Sequence, residues 1–293
     1  HGKRLKEQKD PKVATCASCH VPHSIRPPND SRSSVHPQRV ADTCGACHAN
    51  KEYMAPYKIP TDQVEQYKKS VHWKLITSKG DLSAPTCNDC HGNHGAAPPG
   101  VSSVVNVCGQ CHVVNSELFG KSPHSKIFAQ MGIPGCATCH SNHAIVETSD
   151  AMLGPGKQSA CATCHPPTST GGLLAASMLG SIERLKIGYE RAFTVLSQAE
   201  HAGMEVSQPL FELNEAKTAL IKSRAAIHGF DPKILDKEVD PGVKVSEKAY
   251  ARGLKALAEL QYRRKGLAVS ALIILALVIG LILKIRQMEK KPK

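Results

Sequence analysis

Every cysteine of the chain lies in one five-residue pattern, Cys-x-x-Cys-His, and the pattern occurs six times. The sequence contains 12 Cys, and the six copies use all of them. The copies are CASCH, CGACH, CNDCH, CGQCH and, twice, CATCH. Twelve paired cysteines, each pair followed at once by a histidine, constrain the fold more than any other feature, because they fix where the chain must gather around its ligands.

The spacing is that of covalent attachment of a c-type haem, where two thiols bind the porphyrin vinyl groups and the next histidine binds the iron. A disulfide framework does not require a histidine after each pair, and a zinc site needs two such pairs or two further histidines. A redox Cys-x-x-Cys motif occurs once in a domain. We therefore expect six haem c groups, bound by Cys16, Cys19, Cys44, Cys47, Cys87, Cys90, Cys108, Cys111, Cys136, Cys139, Cys161 and Cys164, with iron ligands His20, His48, His91, His112, His140 and His165.

Haem also accounts for an unusual composition. Only 4% of the residues are aromatic and there is one Trp, so a conventional core is thin, and packed porphyrins would replace it. The formal net charge is +12, which matches the twelve propionates that six haems carry. Aromatic side chains are not interleaved with the basic ones, so we expect no nucleic-acid partner.

The region 1–168 is an internal repeat of three two-haem units. Each unit has a leading His-x-Lys, a C-x-x-C-H-x-x-H segment and a second C-x-x-C-H. The repeat therefore supplies six further histidines, one for the second axial position of each iron, and predicts six bis-His haems. These distal candidates are His1, His23, His72, His94, His124 and His143.

Two other histidines are alternative ligands. His36 has no counterpart in the other units and competes with His1, and His228 lies at a predicted helix end from which it would cap that helix or reach a haem. The sequence leaves open which distal histidine serves which haem. A bis-His iron has no open position, and its potential is lower than that of a His/Met iron, so electron transfer is favoured over chemistry at the iron.

The segment 169–265 contains no cysteine and shows helical periodicity. Residues 168–172 are predicted to be a linker, followed by an apolar helical face from Leu174 to Leu196 that ends near Gly203. A second helix is predicted from Ser207 to Gly229, then a turn region bracketed by Pro232 and Pro241, and a third helix from about Val245 to Arg264. We expect a small antiparallel bundle or stalk.

The third predicted helix continues into 18 uncharged residues from Gly266 to Leu283. At 1.5 Å per residue this segment measures about 27 Å, close to the hydrocarbon thickness of a bilayer. We place a transmembrane helix at 266–284 and a basic tail at 285–293. Five basic residues follow the segment and three precede it, which favours a cytoplasmic C-terminus. Because haem thioethers form outside the cytoplasm, the haem domain is expected on the periplasmic side of the inner membrane, after removal of a leader.

The paired motifs resemble those of the doubled-CxxCH multihaem c-type cytochromes, a group similar to the tetrahaem quinol dehydrogenases of the NapC/NrfH type and to the octahaem cytochromes. The resemblance covers residues 1–168 and implies haem c, bis-His iron and respiratory electron transfer. The chain differs in having a C-terminal anchor, whereas the NapC/NrfH type has an N-terminal one. Direct quinol binding, which in those proteins depends on the N-terminal anchor, is therefore not implied.

The expected fold class is mainly α with extensive loops: a haem-packed domain, a small helical bundle and one transmembrane helix. We expect a non-catalytic subunit of a respiratory complex that carries electrons between an integral membrane partner, cytochrome b-like or otherwise quinol-interacting, and a periplasmic c-type cytochrome or other redox protein. The span has no charged residue or histidine for haem b or quinol, so the integral partner is needed. The alternatives are a reductase of a small nitrogen compound with one open haem and, less consistent with an anchor, a conductive filament subunit.

Overall fold

The structure is a computed structural model that describes residues 1–94, 101 and 103–289. Over these residues it is built from helices and loops and contains no strand, which confirms the expected mainly α fold class. The last part of the predicted basic tail, residues 290–293, lies outside the described residues.

Short helices make up the first half of the chain and long helices the second half. The α-helices are α1 Gly2–Glu7, α2 Cys16–His20, α3 Pro37–His48, α4 Lys51–Met54, α5 Gln63–Lys68, α6 Val71–Ser78, α7 Cys87–His91, α8 Val113–Lys121, α9 Pro123–Met131, α10 Gly135–His140, α11 Thr170–His201, α12 Ser207–Ala226 and α13 Pro232–Glu289. The 3-10 helices are Ala55–Tyr57, Val104–Gln110, Asp150–Met152, Cys161–Thr163 and Ile227–Gly229.

The chain forms two compact units. The first, here called the motif unit, contains His1–Ser177 together with His228–Asp231. The second, here called the bundle unit, contains Met178–Ile227 and Pro232–Lys293. Four residues from the connection between α12 and α13 thus belong to the motif unit, although both of those helices belong to the bundle unit.

Three helices form the bundle unit, and their order follows from side-chain contacts. Ser181 donates a hydrogen bond to Asp236 (2.9 Å), and the Arg191 guanidinium lies 4.7 Å from the centre of the Tyr250 ring, so α11 and α13 run parallel. Helix α12 returns between them and is antiparallel to both. The largest fully buried apolar side chains of this unit are Ile182, Leu185, Leu196, Leu213, Leu235 and Val239.

The predicted turn between Pro232 and Pro241 is wrong. Helix α13 begins at Pro232 and continues without a break through Pro241, which lies inside it. Pro232 occupies the first turn, where the missing amide proton costs nothing. At the next residue after Pro241, Gly242 is buried, and a Cβ placed there would lie 2.7 Å from the Ala219 Cβ and 2.8 Å from Leu185. Close packing against α11 and α12 therefore holds a helix that local propensity alone would interrupt.

The C-terminal part of α13 is long and apolar enough to cross a membrane. Its most apolar window of 18 residues has a mean hydropathy of 2.9 and buries none of its surface in the protein. Every described residue from Gly266 onward is exposed. An apolar helix with no protein neighbour requires lipid or a partner around it, which agrees with the expected single-pass anchor.

The motif unit buries few apolar side chains. Its buried hydrophobic residues are Val40, Ala41, Met54, Tyr67, Ile76, Ala84 and Ala175. The predicted linker at 168–172 is shorter than expected, because α11 begins at Thr170, with the Ser169 hydroxyl accepting a hydrogen bond from the Gly172 amide (3.1 Å). A unit of this length with so small a core depends on something else for its stability, as the thin aromatic content had indicated.

Candidate haem sites

Local hydrogen bonds fix the backbone at the first motif of units one and two. Thr15 and Thr86 precede the first cysteines of α2 and α7, and each forms a capping box with the residue three positions on, Ser18 or Asp89. Such a box sets the start of a helix that carries the two cysteines and the histidine on a single turn. Residues three and four positions apart share a face of a helix, so the second cysteine and the histidine lie on the same face as the first cysteine.

The residue that follows each of these first motifs has a positive φ. Val21 has φ 40°, Gly92 has φ 75° and Ser141 has φ 65°. This left-handed residue ends the helix immediately after the histidine and turns the chain away. The structural repeat therefore extends one residue beyond the motif, because three different residue types share a positive φ at this position.

The six motifs are neighbours in sequence order. Helices α3 and α7, which carry motifs two and three, are in contact, and the 3-10 helix of motif four contacts both α7 and α10. The thiols of Cys44 and Cys87 share a hydrogen bond that lowers the pKa of Cys44, and Cys108 and Cys136 share another. Motif one lies beside motif two, because burial and the nearby thiols of Cys44 and Cys47 raise the pKa of Cys19. The motifs thus form a row.

Each of the six motif histidines faces one other histidine. The distances between ring centroids all lie within a narrow range, from 5.8 to 6.4 Å. The pairs are His20–His94 at 6.0 Å, His48–His1 at 5.9 Å, His91–His143 at 5.9 Å, His112–His72 at 6.4 Å, His140–His228 at 6.1 Å and His165–His124 at 5.8 Å.

This separation fits an iron between the two rings. Imidazole nitrogens bind metals at about 2 Å, so two rings on opposite sides of one metal have centroids roughly 6 Å apart. The residues therefore fit haem on an observation independent of the motif itself: each pair leaves the thickness of one porphyrin.

The pairs follow a regular register along the repeat. The leading histidine of each unit faces the second motif of its own unit: His1 with His48, His72 with His112 and His124 with His165. The x-x-His of units two and three faces the first motif of the preceding unit, which pairs His94 with His20 and His143 with His91. No further repeat unit follows the third one in the chain, and its first motif histidine, His140, faces His228 instead.

Three histidines lie elsewhere. His23, a predicted distal ligand, is exposed, and none of the described ring contacts joins it to a motif histidine. His36 is buried and caps α3, its Nδ1 accepting a hydrogen bond from the Gln38 amide (3.3 Å). His201 is exposed at the end of α11, where its Nδ1 lies 2.7 Å from the Ser197 carbonyl oxygen. From the sequence, His228 was predicted only as an alternative ligand. A shift of the x-x-His pairing by one repeat unit would have left the first motif of unit three without a partner and so pointed to His228.

Burial favours the neutral form of the paired imidazoles. It lowers the pKa of His48, His72, His124, His140 and His143, and in each case a neighbouring histidine contributes in the same direction. A neutral imidazole has a lone pair available for a metal, whereas an imidazolium has none. These five imidazoles are therefore available to bind iron at neutral pH.

The cysteines also fit haem better than the other metal sites that such motifs suggest. All 12 are free thiols in this structure. Within 1–94, 101 and 103–289, no three Cys, His, Asp or Glu side chains gather as a metal-binding group, which a zinc site would require. Paired thiols beside a single axial histidine are what a thioether-linked porphyrin needs.

Comparison with known proteins agrees with this geometry. The family model described as "Doubled CXXCH motif" matches residues 127–170, which contain motifs five and six. No curated protein and no solved structure matches the chain significantly. The CXXCH motifs indicate covalent binding of haem c, and the match supports the assignment of the chain to the multihaem c-type cytochromes at the level of the doubled CXXCH motif.

Proposed function

We propose that the chain is a membrane-anchored hexahaem cytochrome that relays electrons between a membrane quinol partner and a periplasmic redox protein. The observation that carries this proposal is the set of six histidine pairs, one for each motif, with centroids 5.8 to 6.4 Å apart. When bound, each haem c supplies an iron that accepts and releases one electron.

The protein residues then have two tasks. The twelve thiols anchor the porphyrin edges, and the paired imidazoles occupy both axial positions, which excludes water and small substrates from the metal. Because every motif histidine faces a second imidazole, the geometry disfavours a nitrogen-compound reductase, which needs one open axial position.

The order of the motifs supports a relay. Motif contacts follow the sequence from Cys16 to Cys164, and the pKa of Cys139 is raised by burial and by the nearby thiols of Cys161 and Cys164. Motifs five and six are therefore neighbours as well. A row of adjacent sites allows electrons to enter at one end and leave at the other.

The anchor supports a membrane partner. The apolar end of α13 buries none of its surface in this chain, and it contains no side chain that would bind haem b or deprotonate a quinol. We therefore propose an integral, cytochrome b-like or otherwise quinol-interacting subunit beside it. In this proposal the motif unit is periplasmic, the C-terminus is cytoplasmic, and a c-type cytochrome or other redox protein is the soluble partner.

An interruption of the row tests the relay. The full-length protein would be purified with its native membrane partner, and quinol-driven reduction of an added soluble c-type cytochrome would be followed. Replacing both Cys87 and Cys90 by Ala removes the haem of the third motif, so mass spectrometry should detect five haems. Electron transfer should then be abolished. The matched control, Glu215→Gln on α12, should leave both the transfer and the haem number unchanged. Undiminished transfer through the five-haem protein would overturn the relay.

A further inference from the structure

The histidine that faces the last motif has unusual surroundings. The His124 ring packs 4.2 Å from the Phe230 ring and 5.5 Å from the Phe128 ring. Its Nδ1 is buried and has no hydrogen-bond partner within the described chain. Pairs one to four each contain an exposed histidine, whereas both histidines of this pair are half-buried.

The ring planes at this site also differ from the others. His124 and His165 are nearly perpendicular, at 83°, whereas the other five pairs have interplanar angles between 17° and 48°. The relative orientation of two axial imidazoles determines the anisotropy of a low-spin ferric signal in electron paramagnetic resonance. This site therefore has its own spectroscopic signature.

Phe230 is held in a costly backbone conformation. Its φ is 50°, in the left-handed region that bulky side chains rarely adopt. Such a conformation persists where the surroundings enforce it and points to a role for the residue. Phe230 belongs to the motif unit, although the helices on either side of its segment, α12 and α13, belong to the bundle unit. Its ring contacts His124 within the motif unit.

The missing hydrogen bond has a chemical consequence. An axial histidine bound through Nε2 normally donates its Nδ1 proton to an acceptor, which makes the ring a stronger base and stabilises ferric iron. With aromatic rings in place of an acceptor, this stabilisation is lost. Apolar burial also disfavours the more highly charged ferric form. Both effects raise the reduction potential.

We propose that Phe230 is a positioning residue that keeps the Nδ1 of His124 away from hydrogen-bond acceptors, so that the haem of Cys161 and Cys164 has the highest reduction potential of the row. This inference rests on the proposed bis-His function. Electrons would move along the row toward the haem of the sixth motif. They would leave the protein from that end.

The test is a redox titration of the full-length holoprotein in detergent, followed by optical and paramagnetic resonance spectra. Asn tolerates a positive φ and offers a carbonyl acceptor, so Phe230→Asn should lower the potential of the perpendicular-ring haem alone. Phe230→Gly removes the strain of the positive φ and adds no hydrogen-bond acceptor. In this variant the potential of the perpendicular-ring haem should therefore stay above its value in the Asn variant. Phe193→Asn on α11, which stacks on Tyr189, serves as the remote control and should change nothing.

The outcomes separate this inference from the proposed function. In the wild-type protein, the perpendicular-ring signal should disappear first on stepwise reduction. The inference is overturned if that signal disappears last, or if the Asn and wild-type proteins titrate identically with six low-spin haems; in both cases the bis-His proposal stands. A high-spin ferric component in the wild-type protein would instead contradict the bis-His proposal itself.

Discussion

His140 and His228 face each other with ring centroids 6.1 Å apart and an interplanar angle of 23°. His140 ends the fifth motif, whereas His228 lies in the short connection between α12 and α13. The first motifs of units one and two take their second histidine from the following unit. The last unit takes it from this connection, so four residues of the helical region complete the motif unit.

The first prediction concerns this pair. His228→Ala should leave six haems attached but convert one of the six ferric irons from low spin to high spin, because the facing imidazole is lost. His201→Ala, the matched control at the end of α11, should leave all six low spin. Paramagnetic resonance spectra of the two purified variants test this difference. An unchanged low-spin spectrum for His228→Ala would refute the pairing of His140 with His228.

The second prediction distinguishes two histidines at equivalent positions of the repeat. His94 faces His20, with ring centroids 6.0 Å apart. His23 is exposed, and none of the described ring contacts joins it to a motif histidine. His94→Ala should therefore produce one high-spin haem, and His23→Ala should produce none. Paramagnetic resonance spectra of both variants, recorded at equal haem content, test this difference. Loss of low-spin signal in His23→Ala would contradict this and would support His23 as a distal ligand.

The third prediction concerns a glycine beside the last motif. A Cβ placed on Gly171 would lie 2.3 Å from the Nδ1 of His165, far closer than atoms can approach. Gly171→Ala should displace the His165 ring and perturb one of the six haem signals. Gly180→Ala, on the same helix with no neighbour within 4 Å, should leave the spectrum unchanged and raise helix stability by about 1 kcal/mol. Identical spectra for both variants would contradict the predicted displacement.

The fourth prediction concerns the bundle unit. Glu212 accepts hydrogen bonds from Arg252 (2.9 Å), Gln208 (3.1 Å) and Lys248 (3.1 Å), which lower its pKa from 4.5 to about 2. A depressed carboxyl pKa adds stability above the unfolded value, and this stability is lost as the pH falls through the folded value. The pairs are exposed, so the effect is modest and weakens in salt.

Thermal unfolding measured by helical circular dichroism tests this directly. Glu212→Gln should unfold at a lower temperature than the wild type at pH 7, and the difference should shrink between pH 4.5 and about 2. Glu215→Gln, an exposed neighbour on α12, is the control. A difference that grows as the pH falls would contradict the assignment.

The sequence allowed the mainly α class and the bundle helices to be predicted, because apolar residues recur at helical spacing from Leu174 to Leu196. It did not allow the continuity of α13 to be predicted, since Pro241 normally interrupts a helix and only packing at Gly242 retains it. The motif residues were visible from spacing alone. The partners of the histidines were not, because His94 and His143 face motifs of the preceding repeat unit, and His228 has no repeat counterpart.

The most direct test of the account is the paramagnetic resonance spectrum of the oxidised, detergent-solubilised wild-type protein, with the haem number determined by mass spectrometry on the same sample. The account predicts six haems and only low-spin ferric signals, one of them with the anisotropy of perpendicular imidazoles. A high-spin component near one haem per chain would contradict it, because an iron would then have an open axial position and small nitrogen compounds would become the substrates to test.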